Sequence, residues 1–144
     1  MDLEIDRDGH WVHEGSIIQR IALVKLLASV LRREVDGRYA LVTPQERVYI
    51  RVQDVPFLIV DCERVVDSNG HQQYALETNL QERVIVSTES PVWIEPGSPS
   101  PYASVRSGLA GRFTRAAYYR LSDELVERDS RWGLESGGHF FELG

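Results

Sequence analysis

The stretch WVHEGSIIQRIALVKLLASVLRR, Trp11–Arg33, holds the strongest periodic signal in this 144-residue chain, and the reading of the fold starts there. Ser16 and Gln19 have the spacing of a capping box, in which each side chain satisfies a backbone N–H that the first turn of a helix leaves unpaired. Ile17, Ile21, Val24, Ala28 and Leu31 follow at helical spacing, widened by Leu23, Leu27 and Val30, while Lys25, Ser29, Arg32 and Arg33 lie off that face. The spacing predicts a helix entered at Ser16 and closed by Arg32 and Arg33, whose charge suits the negative end of the dipole, with Asp36-Gly37 stopping it. Upstream, Leu3 to Ile5 and His10 to Val12 flank Arg7-Asp8-Gly9, a tight-turn sequence, so a short hairpin leads into the helix.

Beyond Tyr39 the period falls to two. Val48, Ile50 and Val52 alternate with Arg47, Tyr49 and Arg51, as a strand with one buried face requires. Val55 to Val60 reads as a central strand, and Asp67-Ser68-Asn69-Gly70 as a hairpin turn, because Asn-Gly favours the type I′ geometry that matches strand twist. Tyr74 to Thr78, Arg83 to Ser87 and Val92 to Glu95 extend the meander. Pro96 to Pro101 is a linker, after which Ser107 and Thr114 are candidate N-caps for a short helix to Phe113 and a longer one through Leu121 and Leu125. Phe140 and Phe141 predict a docked terminal strand. The expected class is therefore α+β: an antiparallel β meander with an N-terminal hairpin-helix unit and a C-terminal helical unit. Its two interlocked lobes span residues 1–95 and 96–144 within one compact unit. A strand, capped turn, Arg and apolar helix occur at Trp11 to Leu31 and again at Tyr102 to Leu125, a candidate repeated motif.

Composition excludes several classes. A formal charge of −6 argues against a nucleic-acid binder, which needs an excess of Lys and Arg. Arg20, Lys25 and Asp61 interrupt the apolar windows, so no membrane span is expected. Cys62 is the single cysteine, which forbids an internal disulfide and fits a reducing cytoplasm. Lys25 is the only lysine against 15 arginines, and arginine brings a fixed fork suited to carboxylates and phosphates.

Several runs carry a family resemblance. Ile5-Asp6-Arg7-Asp8-Gly9-His10-Trp11-Val12-His13-Glu14-Gly15-Ser16, Tyr39-Ala40-Leu41-Val42-Thr43-Pro44, Val55-Pro56-Phe57-Leu58, Thr78-Asn79-Leu80, Pro101-Tyr102 and Phe140-Phe141 resemble, in order, a bacterial group known as domain-of-unknown-function family 1285. The resemblance implies a two-lobed α+β fold with recurring motifs and a part in signal transduction. It supplies no catalytic residues.

The candidate sites are few. Asp6-x-Asp8-Gly9 lacks the further ligands of a calcium loop, and His10, His13, His71 and His139 are spaced as turn and strand residues, so no metal or other cofactor is expected. Arg20 and Arg115 fall in the first turns of the predicted helices, where the dipole disfavours cations, so each needs a negative partner. That partner is either an internal carboxylate or a bound anion near Arg106-Ser107-Gly108, where a glycine lets a ligand approach the backbone. The expected function is a non-catalytic cytoplasmic regulatory or binding module that recognises a small anionic ligand through Arg20, Arg106, Ser107, Gly108 and Arg115, or a partner protein. A homodimer is among the arrangements open to it. The alternative is a small hydrolase-like enzyme using His13 and Glu14 as an acid/base pair.

Overall fold

The computed structural model describes residues 2–144, and it is a β protein, with 46% of residues in strands and 12% in two helices. The expected α+β class, with a hairpin-helix unit at one end and a helical unit at the other, is overturned. The first sheet begins as an antiparallel meander of β1 (Leu3–Ile5), β2 (Trp11–His13) and β3 (Ser16–Ile17). After helix α1 (Ile21–Ser29), β4 (Leu31–Arg33), β5 (Tyr39–Val42) and β6 (Arg47–Val52) form a second meander. The two join where β1 and β6 run parallel, pairing Glu4 with Arg51 and Ile5 with Val52.

The second sheet follows the same path. Three strands, β7 (Phe57–Val66), β8 (Gln72–Thr78) and β9 (Arg83–Ile85), are followed by β10 (Val92–Trp93), β11 (Tyr102–Arg106) and β12 (Leu109–Phe113), with β12 parallel to β7. Helix α2 (Arg115–Ser122) packs on β7, and β13 (Val126–Arg128), β14 (Arg131–Ser136) and β15 (His139–Glu142) make a small third sheet. The first hairpin of each large sheet turns on matching residues. Asp6 Oδ1 accepts from the amides of Asp8 and His10 at 3.0 and 2.9 Å, and Asp67 Oδ1 from those of Asn69 and His71 at 2.9 and 2.8 Å. These are Asx-type turns, in which a short carboxylate replaces a backbone acceptor. The shared path relates Leu3–Val52 to Phe57–Phe113; it does not align Trp11 to Leu31 with Tyr102 to Leu125.

Two helical readings fail for identifiable reasons. Ser16 and Ile17 are not the start of a helix but an edge strand, paired to His13 and Val12. The helix begins after Arg20, an N-cap with extended backbone and no side-chain cap, and it ends at Ser29. Leu31 to Arg33 pair with Leu41 to Tyr39, so Asp36-Gly37 turns a hairpin instead of stopping a helix. Ser107 and Gly108, at φ 45° and 80°, form the two-residue turn between β11 and β12, where a short helix was predicted. Successive positive φ values fit the twist of a hairpin, and a Gly supplies one of them without strain. Thr114, by contrast, caps α2 through the Ala117 amide at 3.2 Å.

One core runs through both large sheets. Leu3, Ile5, Trp11 and Leu31 pack in the same buried cluster as Phe57, Ile59, Leu76, Phe113, Leu121 and Leu134. The third sheet is tied on by Ser136, fully buried, whose hydroxyl accepts from the Tyr74 amide at 3.1 Å and donates to the Val86 carbonyl at 2.9 Å. No helix among the described residues is long and apolar enough to cross a membrane.

Candidate functional site

The seam between the large sheets opens beside the C-terminal end of α1. A cleft of about 530 Å³ there is lined by Ser29, Arg32, Glu82, Arg106 and Ser107, and an adjoining recess of about 270 Å³ adds Lys25, Ala28 and Leu80. Arg106 spans it. The β11–β12 register shifts between Ser104 and Arg106, and an irregularity of this kind re-aims the side chain that follows it. The guanidinium reaches from the second sheet to helix α1: Nε donates to Glu82 Oε2 at 2.9 Å, Nη2 donates to the Ala28 carbonyl at 3.0 Å, and the group lies 5.6 Å from the Phe57 ring centroid.

Arg32 enters from β4 and donates through Nη1 to the Leu31 and Ser29 carbonyls at 2.8 and 3.2 Å. Lys25 donates to Gln81 Oε1. Two cations therefore meet the carbonyl end of α1, where the helix dipole is negative. Three cations against the single carboxylate of Glu82 leave the cleft a positive island on a chain of net charge −6.

The residues singled out from sequence part company. Arg106 and Ser107 line the cleft, and Gly108 completes the turn beside them, where a Cβ would lie 3.8 Å from Arg33 Cβ. Arg20 and Arg115 are elsewhere. Arg20 stands exposed at the N-cap of α1, and Arg115 donates to the Tyr119 hydroxyl at 3.0 Å with its charge 5.7 Å from that ring centroid. The need of Arg115 for a negative partner is met by a phenol oxygen and a ring face. His13 sits exposed on β2, and Glu14 in the next turn has φ 49°. Neither side chain has a hydrogen-bond or ion-pair partner among the described residues, so no acid/base geometry joins them. Asp6, Asp8 and His10 bring ligand atoms within 4.8 Å of one another, but Asp6 Oδ1 is occupied by two turn amides.

Lys25, Ser29, Arg32 and Glu82 were missed. The first three were visible as the polar face of the predicted helix, spaced by four and three residues. Glu82 carries no local signal, because only sheet topology brings it to Arg106.

Two family models match the chain: the N-terminal domain of a domain of unknown function, DUF1285, over residues 1–55, and the DUF1285 C-terminal domain over residues 56–143. Their junction falls between the two large sheets. A crystal structure of a DUF1285 family protein from Silicibacter pomeroyi DSS-3 is 38% identical, with a TM-score of 0.90 over 99% of this chain and 79% of that one. Another, from Shewanella baltica OS155, is 31% identical, with a TM-score of 0.66 over 84% of this chain and 90% of that one. No curated protein matches at a significant level.

Proposed function

Since the chain belongs to the DUF1285 family through both of its domains, whose descriptions name no activity, we propose on the geometry of the seam that it is a non-catalytic binding module taking a small anionic ligand beside α1. The observation that carries this reading is Arg106, which lines the cleft and ties the second sheet to helix α1. Among the described residues its two bonds leave other N–H groups of the fork unused, and Arg32 spends only Nη1 on carbonyls. A carboxylate or phosphate between them would gain charge-assisted, fork-shaped contacts. Ser29 and Ser107 offer hydroxyls on the same walls.

Thermal-shift titration in low salt tests this reading, with inorganic phosphate and citrate as probes. Both should raise Tm as concentration rises, and Arg32→Ala should abolish the effect while leaving the unliganded Tm close to that of the wild type, because Arg32 bonds only to neighbouring carbonyls. The reading fails if neither anion exceeds matched chloride, or if Arg32→Ala and Arg106→Gln respond like the wild type.

A protein partner could bring the acidic group instead, and one observation favours it. Ile21 and Leu26 of α1, the helix whose C-terminal end borders the cleft, are 51% and 64% exposed. A regulatory role, including the signalling role that the family resemblance implies, would then act through that partner or a second copy of the chain. Light scattering on the eluting protein would register a homodimer. The lone buried Cys62 supports the cytoplasm as the compartment.

A further inference from the structure

A second recess, of about 250 Å³, lies on the seam where Arg33, Tyr39 and Asp54 of the first domain face Trp93, Glu95 and Tyr102 of the second. Its chemistry is opposite to that of the Arg106 cleft, and we propose that it binds a small free alkylammonium ion, which displaces Arg33 from the face of Tyr39.

The walls are aromatic and their polar edges are engaged. Trp93 and Tyr102 oppose each other across β10 and β11 and stack with centroids 6.0 Å apart at 20°. The Trp93 indole N–H donates to Glu95 Oε1 at 2.9 Å, and the Tyr102 hydroxyl lies 3.2 and 3.1 Å from the two oxygens of Asp54. Ring faces are the negative part of an aromatic side chain, and here each stacked ring also holds a carboxylate at its edge. Asp54 is balanced by Arg112 at 3.7 Å. Glu95 has no cationic partner among the described residues.

Arg33 shows where a cation sits. Its guanidinium lies 5.2 Å from the Tyr39 ring centroid, and its side chain makes no hydrogen bond or ion pair among the described residues. An exposed cation–π contact alone holds a side chain weakly, so the position is open to competition by a better-desolvated cation. The volume falls just below the ~300–1,000 Å³ of ordinary small-molecule pockets, which sets the ligand size near that of choline. An anion would meet Glu95 unpaired, and a net charge of −6 draws cations to the molecule as a whole.

Titration of ¹⁵N-labelled protein with choline, tetramethylammonium and the neutral choline isostere 3,3-dimethylbutan-1-ol tests the site, following the indole signal that Trp93→Phe removes. The two cations should shift that signal saturably, and the isostere should bind at least ten times more weakly. Arg33→Ala, a surface change that leaves the fold intact, should tighten choline several-fold by freeing Tyr39, and Glu95→Gln should weaken it. No shift, an equal response to the isostere, or an Arg33→Ala affinity that is unchanged or lower overturns the proposal. Because this site shares no lining residue with the Arg106 cleft, its failure would leave the anion reading standing.

Discussion

Cys62 and Tyr74 sit where ionisation is costly. Burial, followed by the nearby carboxylates of Glu124 and Asp61, pushes the Cys62 thiol from 9.0 up to about 12. Burial and the Glu124 carboxylate, which accepts the Tyr74 hydroxyl at 3.2 Å, take the phenol from 10.0 to about 12. Both groups are neutral when protonated. Between pH 9 and 12 the unfolded chain therefore loses protons that the fold retains, and stability must fall as pH rises. The contribution is complete below pH 9 and gone above about 12. Tm should be level up to pH 9 and decline from there, and in Cys62→Ala the decline should begin nearer pH 10. A Tm that stays level to pH 11 in the wild type would contradict the burial of these groups. The same burial makes Cys62 a poor nucleophile at neutral pH.

At the scale of elements, caps and turns separate what a sequence reveals from what it hides. Thr114 accepts the Ala117 amide and starts α2, so Thr114→Ala should cost about 1 kcal/mol in denaturant unfolding. Ser16→Ala should cost well under that, because Ser16 is an exposed edge-strand residue and the N-cap of α1 is Arg20. Equal losses from the two would mean that Ser16 does cap a helix. Alternation at Val48, Ile50 and Val52 and the turn at Asn69-Gly70 were legible because they depend on neighbours in the chain. Ser16-Gln19 and Ser107-Gly108 were misread because serine serves caps, edge strands and turns alike, and the choice between them is made by a partner strand. The pairing of Ile17 with Val12, and of Arg106 with Leu109, decides both cases. Arg106 and Ser107 were accordingly picked out for the wrong element. A turn brings a side chain to a seam as effectively as a helix N-terminus would.

At the scale of the whole molecule, the two large sheets follow a like path and the family models divide after residue 55, yet contacts cross that line. The first turn of the first sheet is gripped by the second: Arg112 Nη2 donates to the Arg7 carbonyl at 2.7 Å, and Asn79 accepts the Leu58 amide at 3.1 Å with its own amide nitrogen 3.5 Å from the Gly9 carbonyl. A Cβ on Gly9 would come within 2.9 Å of Asn79 Nδ2, which shows how closely the turn is seated. Both proposed sites lie on the seam that these contacts hold shut. Since one apolar cluster also runs from Leu3 through Phe57 to Leu134, neither sheet can lose its structure without exposing the core of the other. Unfolding should be a single transition, with fluorescence and circular dichroism giving the same midpoint. Arg112→Ala removes the bond to Arg7 and the partner of Asp54 together, and should lower Tm while keeping one transition. Two separated transitions in the wild type would show that the sheets fold as independent units, and the seam would then be a surface between domains and not the fixed frame that both binding sites require.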